Sequence, residues 1–263
     1  MSVPMRAATM QQQTQELITT IQRQWARPRP SPPAKRRAVS LPVPPPLNAG
    51  DALSRAEFER RYETHPEIKK AELIEGVVYM PSPVRVHHHG RPHSDLIGWL
   101  TMYRAATPGV MACDNATVRL DLENEVQPDA LLRLEPDQGG HSRITDDDYL
   151  EGPPELIVEI AASSAAYDLH IKRRVYQRSG VQEYLVIQMH EQRADWFVLR
   201  EGVYEALLPD AAGVLHSQVF PGLWLQPAAL WSGDLGLMLI ALGEGLASPE
   251  HADFVARLEA AEL

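Results

Sequence analysis

The apolar residues of this chain recur with two spacings, and each spacing predicts an element. "HSDLIGWLTMYRAATPG" sets Leu96, Ile97, Leu100 and Tyr103 near helical period, which predicts a helix that stops at Pro108-Gly109. "DALSRAEFERRY" predicts an earlier helix, capped by Ser54 with Glu57 placed to complete a capping box. "AELIEGVVYMPSP" predicts two short strands turning at Glu75-Gly76, and "NATVRLDLENEVQPDALLRL" predicts a strand pair. "ELIVEI" predicts a buried strand. The helix predicted over "YDLHIKRRVYQRSG" follows it, with Asp168 as cap and Gly180 as terminator. "QEYLVIQM", "RADWFVLREGVYEAL" and "LHSQVFPGLWL" predict further strands. "SPEHADFVARLEAAEL" predicts a closing helix, with Ser248 capping and Pro249 in the first turn. Strands before and after one well-marked helix predict an α/β fold of mixed α+β type, a mixed central sheet with helical cover.

Residues 1–50 break this patterning. "PRPSPPAKRRAVSLPVPPPLN" is too proline-dense for a regular helix or an inner strand and predicts extended chain. The expected organisation is therefore a disordered, basic arm over residues 1–50, a folded domain over 51–235 and a helical C-terminal extension over 236–263. Charge is split in the same way. The chain carries −10 overall, but residues 1–50 hold seven Lys/Arg against one Glu, which leaves −16 on the rest. That surplus argues against broad coating of a polyanion and makes its approach depend on a local basic groove, the arm or metal ions.

Composition removes several function classes. Neither a GxGxxG nor a GxxxxGK phosphate loop is present, and there is no GxSxG nucleophile elbow. No apolar run approaches the ~20 residues that span a bilayer, and the N-terminus lacks the apolar core of a signal peptide. The single cysteine, Cys113, has no internal disulfide partner, so a cytoplasmic location is expected.

The candidate chemistry lies on strands. In "ELIVEI" alternation points Leu156, Val158 and Ile160 one way and Ile157 and Glu159 the other. An ionised carboxylate on a buried strand is costly unless it is paired or bound to metal. Asp129 stands in like surroundings, directly before Ala130, Leu131 and Leu132. Two such carboxylates at the ends of adjacent strands can share a Mg²⁺ or Mn²⁺ ion, which accepts one or two carboxylates, waters and phosphate oxygens. The bland alternative for each acid is a solvated strand end or a salt bridge. A cation is missing two residues after Glu159, where Ala161 stands, but the next helix can supply it. Leu169, Lys172 and Tyr176 fall on one stripe, so Lys172 points at the sheet if its neighbours do. Arg173 is rotated away from that stripe. Arg174 and Arg178 suit solvent or phosphates.

These residues, "QPDALL", "ELIVEI" and "YDLHIKRRVYQRSGVQEYLVI", resemble the PD-(D/E)XK restriction-endonuclease-like superfamily. The closer likeness is to its Uma-type branch, in which the lysine has migrated from the strand to the next helix. The likeness spans roughly residues 51–200 and implies a restriction-endonuclease-like core. It implies that Asp129 and Glu159 are metal-binding and catalytic, that the Ile160 carbonyl joins the metal, and that Lys172 is the displaced lysine. It further implies that His93 is the histidine opening the first core helix, with His89 of "HHHG" as the weaker candidate. Glu75 matches an acid at the first hairpin turn. "ASS" (Ala162-Ser163-Ser164) replaces the family's usual "SPS", and Gln188 stands where an acid is common. The expected activity is Mg²⁺- or Mn²⁺-dependent cleavage of phosphodiester bonds in nucleic acid, with DNA as partner. Double-strand cutting would favour a homodimer. One alternative is a catalytically idle nuclease fold, with the arm or the apolar "LGLMLIALGEGL" docking partners. The other is a metal hydrolase of small phosphate esters.

Overall fold

The computed structural model describes residues 43–81, 84–161 and 168–261. The arm expected over residues 1–50 lies almost wholly outside the described residues, as do Ala162-Ser163-Ser164 and the side chain of Asp168. From Pro44 onward the chain belongs to one compact unit, and Leu47 is already buried beside Phe58 and Leu73.

α1 (Arg55–Thr64) starts at Ser54, whose hydroxyl accepts from the Glu57 N–H at 3.4 Å. The expected capping box is only half made. The Glu57 carboxylate instead takes Arg60 at 2.8 Å and Arg61 at 2.6 Å, cations one turn along the same face. β1 (Glu72–Ile74) and β2 (Val77–Tyr79) form the expected hairpin around Glu75 and Gly76, at φ +50° and +74°. Two successive positive φ values give the turn whose twist matches that of antiparallel strands. A single π-type turn, Val86–Gly90, then runs into α2 (Arg91–Ala105), so His93 lies within the first helical turn rather than at its head.

The next strands are β3 (Val110–Asp114), β4 (Val118–Arg119), β5 (Glu125–Val126), β6 (Ala130–Leu134), β7 (Arg143–Ile144), β8 (Leu150–Glu151) and β9 (Leu156–Ala161). A second π-type turn, Asp168–Lys172, opens α3 (Arg173–Ser179), which Gly180 ends at φ +89°. Then come β10 (Glu183–Gln188), β11 (Arg193–Arg200) and β12 (Val203–Ala206). The segment "LHSQVFPGLWL", expected to give strand, forms a small hairpin, β13 (Leu215–His216) and β14 (Trp224–Leu225), interrupted at Pro221-Gly222. α4 (Pro227–Ser232), α5 (Leu235–Leu246) and α6 (Pro249–Ala261) close the chain.

The central sheet runs β12-β11-β10-β9-β6-β3, with β9 and β10 parallel and the other pairs antiparallel. A second sheet runs β2-β1-β5-β4-β8-β7, with β4 and β8 parallel. This is the mixed α+β architecture that the patterning predicts. The two faces of β9 explain the layering. Leu156, Val158 and Ile160 pack with Leu96, Trp99 and Leu100 of α2, Met238 and Leu242 of α5, and Phe254 and Leu258 of α6. Ile157 and Ala161 pack with Val175 and Tyr176 of α3 and with Ile74, Val118 and Val126 of the second sheet. Full burial of each such side chain contributes about 1.5–3 kcal/mol, so both faces hold β9 in place. Among the described residues no helix is long and apolar enough to cross a membrane.

Candidate active site

The register of β6 and β9 decides where the two acids point. Ala130 lies opposite Val158, Leu131 opposite Ile157 and Leu132 opposite Leu156. Continued by one step, the register sets Asp129 opposite Glu159. Directly opposed residues of an antiparallel pair share a face, with Cβ atoms about 4.5–5.5 Å apart. That face is the one α3 covers. Asp129 is 5% exposed and Glu159 4%, so both carboxylates must find partners inside the protein.

Asp129 finds three. Its Oδ2 accepts from the Ile160 N–H at 2.9 Å and lies 3.2 Å from His89 Nε2, while Lys70 Nζ stands 3.5 Å from Oδ1. Burial pushes its carboxyl up. The His89 hydrogen bond, the Lys70 charge and the Ile160 N–H outweigh burial and hold it well below the usual carboxylate range. Asp129 is therefore an ionised carboxylate inside the protein. Lys70 also donates to Asn115 Oδ1 at 2.9 Å, which fixes its ammonium at this spot.

Glu159 is met from α3. Its Oε1 accepts from Lys172 Nζ and from the Tyr176 hydroxyl, each at 2.8 Å. Lys172 is buried, and Leu169 and Tyr176 of the same stripe pack into the cluster beneath α3. The 3- and 4-residue spacing thus carries the lysine inward, as the amphipathic pattern predicts. Lys172 Nζ also lies 3.0 Å from Glu72 of β1, whose Oε1 accepts from the Gln127 N–H at 2.8 Å.

The remaining candidates are placed as follows. His93 Nε2 lies 2.9 Å from the Asp129 carbonyl oxygen and 3.1 Å from Asp114 Oδ1, so it grips the backbone that carries the acid. His89, the weaker candidate in the sequence, is the histidine on the carboxylate itself. Its Nδ1 is buried with no hydrogen-bond partner. Ile160 contributes its N–H to Asp129. Glu75 is half-exposed in its turn and pairs with Arg178 at 3.1 Å and Arg174 at 3.9 Å. Arg173 lays its guanidinium over the Phe197 ring at 4.2 Å, and Gln188 donates to Asp195.

Three members of this cluster were not singled out from the sequence: Glu72, Lys70 and the hydroxyl of Tyr176. Glu72 stands between Ala71 and Leu73, the same signature of an acid in an apolar run that marks Glu159. Tyr176 lies one helical turn beyond Lys172 and could have been found by the same stripe. Lys70 sits in a polar loop without periodicity and carries no signal.

The donor set fits a hard divalent cation. Carboxylates of Asp129 and Glu159 with the Ile160 carbonyl are oxygen ligands of the kind Mg²⁺ accepts, and water and substrate oxygens complete such a shell. Among the described residues no group of three or more His, Cys, Asp or Glu side chains is arranged to hold a metal ion. A cation here would therefore rest on the two opposed carboxylates.

Comparison with known proteins adds a family. The sequence model of Uma2, described as "Putative restriction endonuclease", matches residues 55–228. Among solved structures the chain is similar to that of a "putative nuclease belonging to DUF820 from Anabaena variabilis ATCC 29413", with a TM-score of 0.52 and 15% identity. The alignment covers 68% of this chain and 98% of that one. At that identity the likeness shows a shared fold. No match was found among curated proteins.

Proposed function

This chain belongs to the Uma2 family, described as putative restriction endonucleases, and from that premise we propose that it is a divalent-metal-dependent endonuclease acting on phosphodiester bonds of DNA. The observation that carries the reading is the buried Lys172–Glu159 pair at 2.8 Å, on the sheet face that Asp129 shares. Two carboxylates and one ammonium, from β9, the turn that opens α3 and the residue preceding β6, are the groups that phosphodiester hydrolysis needs.

Asp129, Glu159 and the Ile160 carbonyl would hold Mg²⁺ or Mn²⁺. When bound, the ion would acidify an attacking water and offset charge on the leaving oxygen. The protein's own groups do the rest. His89, Lys70 and the Ile160 N–H keep Asp129 ionised. Tyr176 holds Glu159 from the side of α3. The Lys172 ammonium adds positive charge where a phosphoryl group gains negative charge, and does so in a buried setting where such a charge acts strongly. His93 anchors the segment that delivers Asp129. The −16 on residues 51–263 repels a polyanion, so divalent ions serve approach as well as chemistry.

The test is nicking of supercoiled plasmid with Mg²⁺ or Mn²⁺. Wild type should cut, and Asp129→Ala, Glu159→Ala and Lys172→Ala should each lose on the order of 10²-fold or more in rate. Equal activity across the four proteins would remove the assignment. Metal-supported binding of DNA without cutting would identify a binding module on the same fold.

A further inference from the structure

We propose that Glu72 is a positioning residue of this site, the group that sets Lys172 relative to the strand segment delivering Asp129. The proposal rests on the nuclease reading above and on contacts that the known parts of the site do not require. Glu72 comes from β1 of the second sheet, which contributes none of the residues assigned above. It is nevertheless 5% exposed and sits against Lys172.

Its two links have different origins. Both Glu72 oxygens lie 3.0 Å from Lys172 Nζ, at the start of α3. Oε1 also accepts from the Gln127 N–H at 2.8 Å, two residues before Asp129. A single carboxylate thus ties the helix that carries the lysine to the loop that carries the aspartate. Gln127 is itself fixed, since its amide donates to Tyr62 Oη at 3.3 Å and Thr117 Oγ1 at 3.2 Å.

The lysine needs such a tie. A side chain with four rotatable carbons gains inward reach at the cost of definition. Glu159 holds Nζ at 2.8 Å from the side of the central sheet. Glu72 supplies the second side, so the ammonium is bracketed by two carboxylates from two different sheets. Glu72 does not touch the reacting atoms in this assignment. It acts through Lys172, and displacement of a catalytic group by an ångström can cost on the order of 10²-fold in rate.

The closing experiment compares wild type with Glu72→Gln, which keeps the shape and an oxygen for the Gln127 N–H but drops the charge. Three readouts are taken: plasmid nicking, Mn²⁺ affinity by calorimetry, and the ¹H–¹⁵N signal of the Lys172 ammonium. That signal is visible when the group is held and protected from exchange. The expected result is a kcat lower by on the order of 10²-fold, with KM and Mn²⁺ affinity within about twofold and the ammonium signal lost or broadened. An unchanged ammonium signal and unchanged kcat would overturn the proposal, leaving Glu72 a structural acid. A tenfold loss of Mn²⁺ affinity would also overturn it, making Glu72 a metal ligand. If wild type does not nick at all, the nuclease reading fails while the ammonium signal still decides whether Glu72 positions Lys172. Should Glu72→Gln not fold, Glu72→Asp is read by the same measurements. It keeps the charge on a shorter stem, so a retained signal at a shifted position supports the bracket and an unshifted one opposes it.

Discussion

Glu159 shows how a single residue is legible in sequence and where that legibility ends. Alternation alone puts it on the face opposite Leu156 and Val158, and burial then demands a partner. The stripe Leu169–Lys172–Tyr176 names the partner, because 3- and 4-residue spacing has only one face to occupy. Tyr176 adds a hydroxyl at 2.8 Å from the same carboxylate oxygen. Tyr176→Phe keeps the ring, which stacks edge-on against Tyr184, and removes the hydroxyl that donates to Glu159. A hydrogen bond to a charged group contributes about 1.5–3 kcal/mol, so urea unfolding should show a loss of that order, with nicking impaired less than in Lys172→Ala. Lys70 was illegible for a different reason, and His89 is marked only through the family resemblance. A side chain that reaches Asp129 from a loop or a π-type turn follows neither period, and nothing in "IKKAE" or "VHHHG" distinguishes an inward base from a solvated one.

Elements were read best where the periodic run was long and worst where a few residues redirect the chain. α2 and β9 follow directly from their apolar spacing. The two π-type turns that open α2 and α3 do not, since each inserts an extra residue per turn without changing composition. The segment of β13 and β14 has the strand character expected of it, but its turn is hidden because apolar residues continue across Pro221-Gly222, where Phe220 is buried rather than paired. α5 carries its lesson on two faces. Met238 and Leu242 are each 1% exposed in the cluster under the central sheet, whereas Ile240 is 61% exposed. Leu242→Ala should therefore cost about 2–5 kcal/mol. Ile240→Ala should stay within about 0.5 kcal/mol. Thermal or urea unfolding of the two variants checks this. Equal, small effects would mean that the terminal helices are an appendage rather than part of the core.

At the scale of the whole molecule, buried acids set how stability follows pH. Burial, together with the neighbouring Glu59, raises Glu125 from 4.5 to about 8. Burial likewise raises Glu183 to about 7, although Ser217, the Gln218 and Val219 N–H groups and Trp196 donate to it. Each acid binds its proton more tightly folded than unfolded. Their stabilising effect is thus fully present below about pH 4.5 and is lost as pH rises through about 7 and 8. Asp129 has the opposite sign, since its folded carboxyl is held low, and it loses its contribution only in strong acid. Unfolding free energy should fall on the order of a few kcal/mol between about pH 6 and pH 9. Glu125→Gln should flatten that slope in urea titrations at several pH values. A slope that rises, or one unchanged in Glu125→Gln, would contradict the assignment. None of this was visible in the sequence, because the fold alone brings Glu59 of α1 against Glu125 of β5.

The separation of Glu72 from Lys172 along the chain, 100 residues, has a consequence for biosynthesis. A ribosome working at about 5–20 residues per second delivers the lysine about 5–20 s after the glutamate. Until then the acids of β1 and β9 have no ammonium between them. A nascent or prematurely terminated polypeptide therefore carries an incomplete set of groups, and any cutting activity would first arise once the α3 segment has left the exit tunnel and folded onto the sheet.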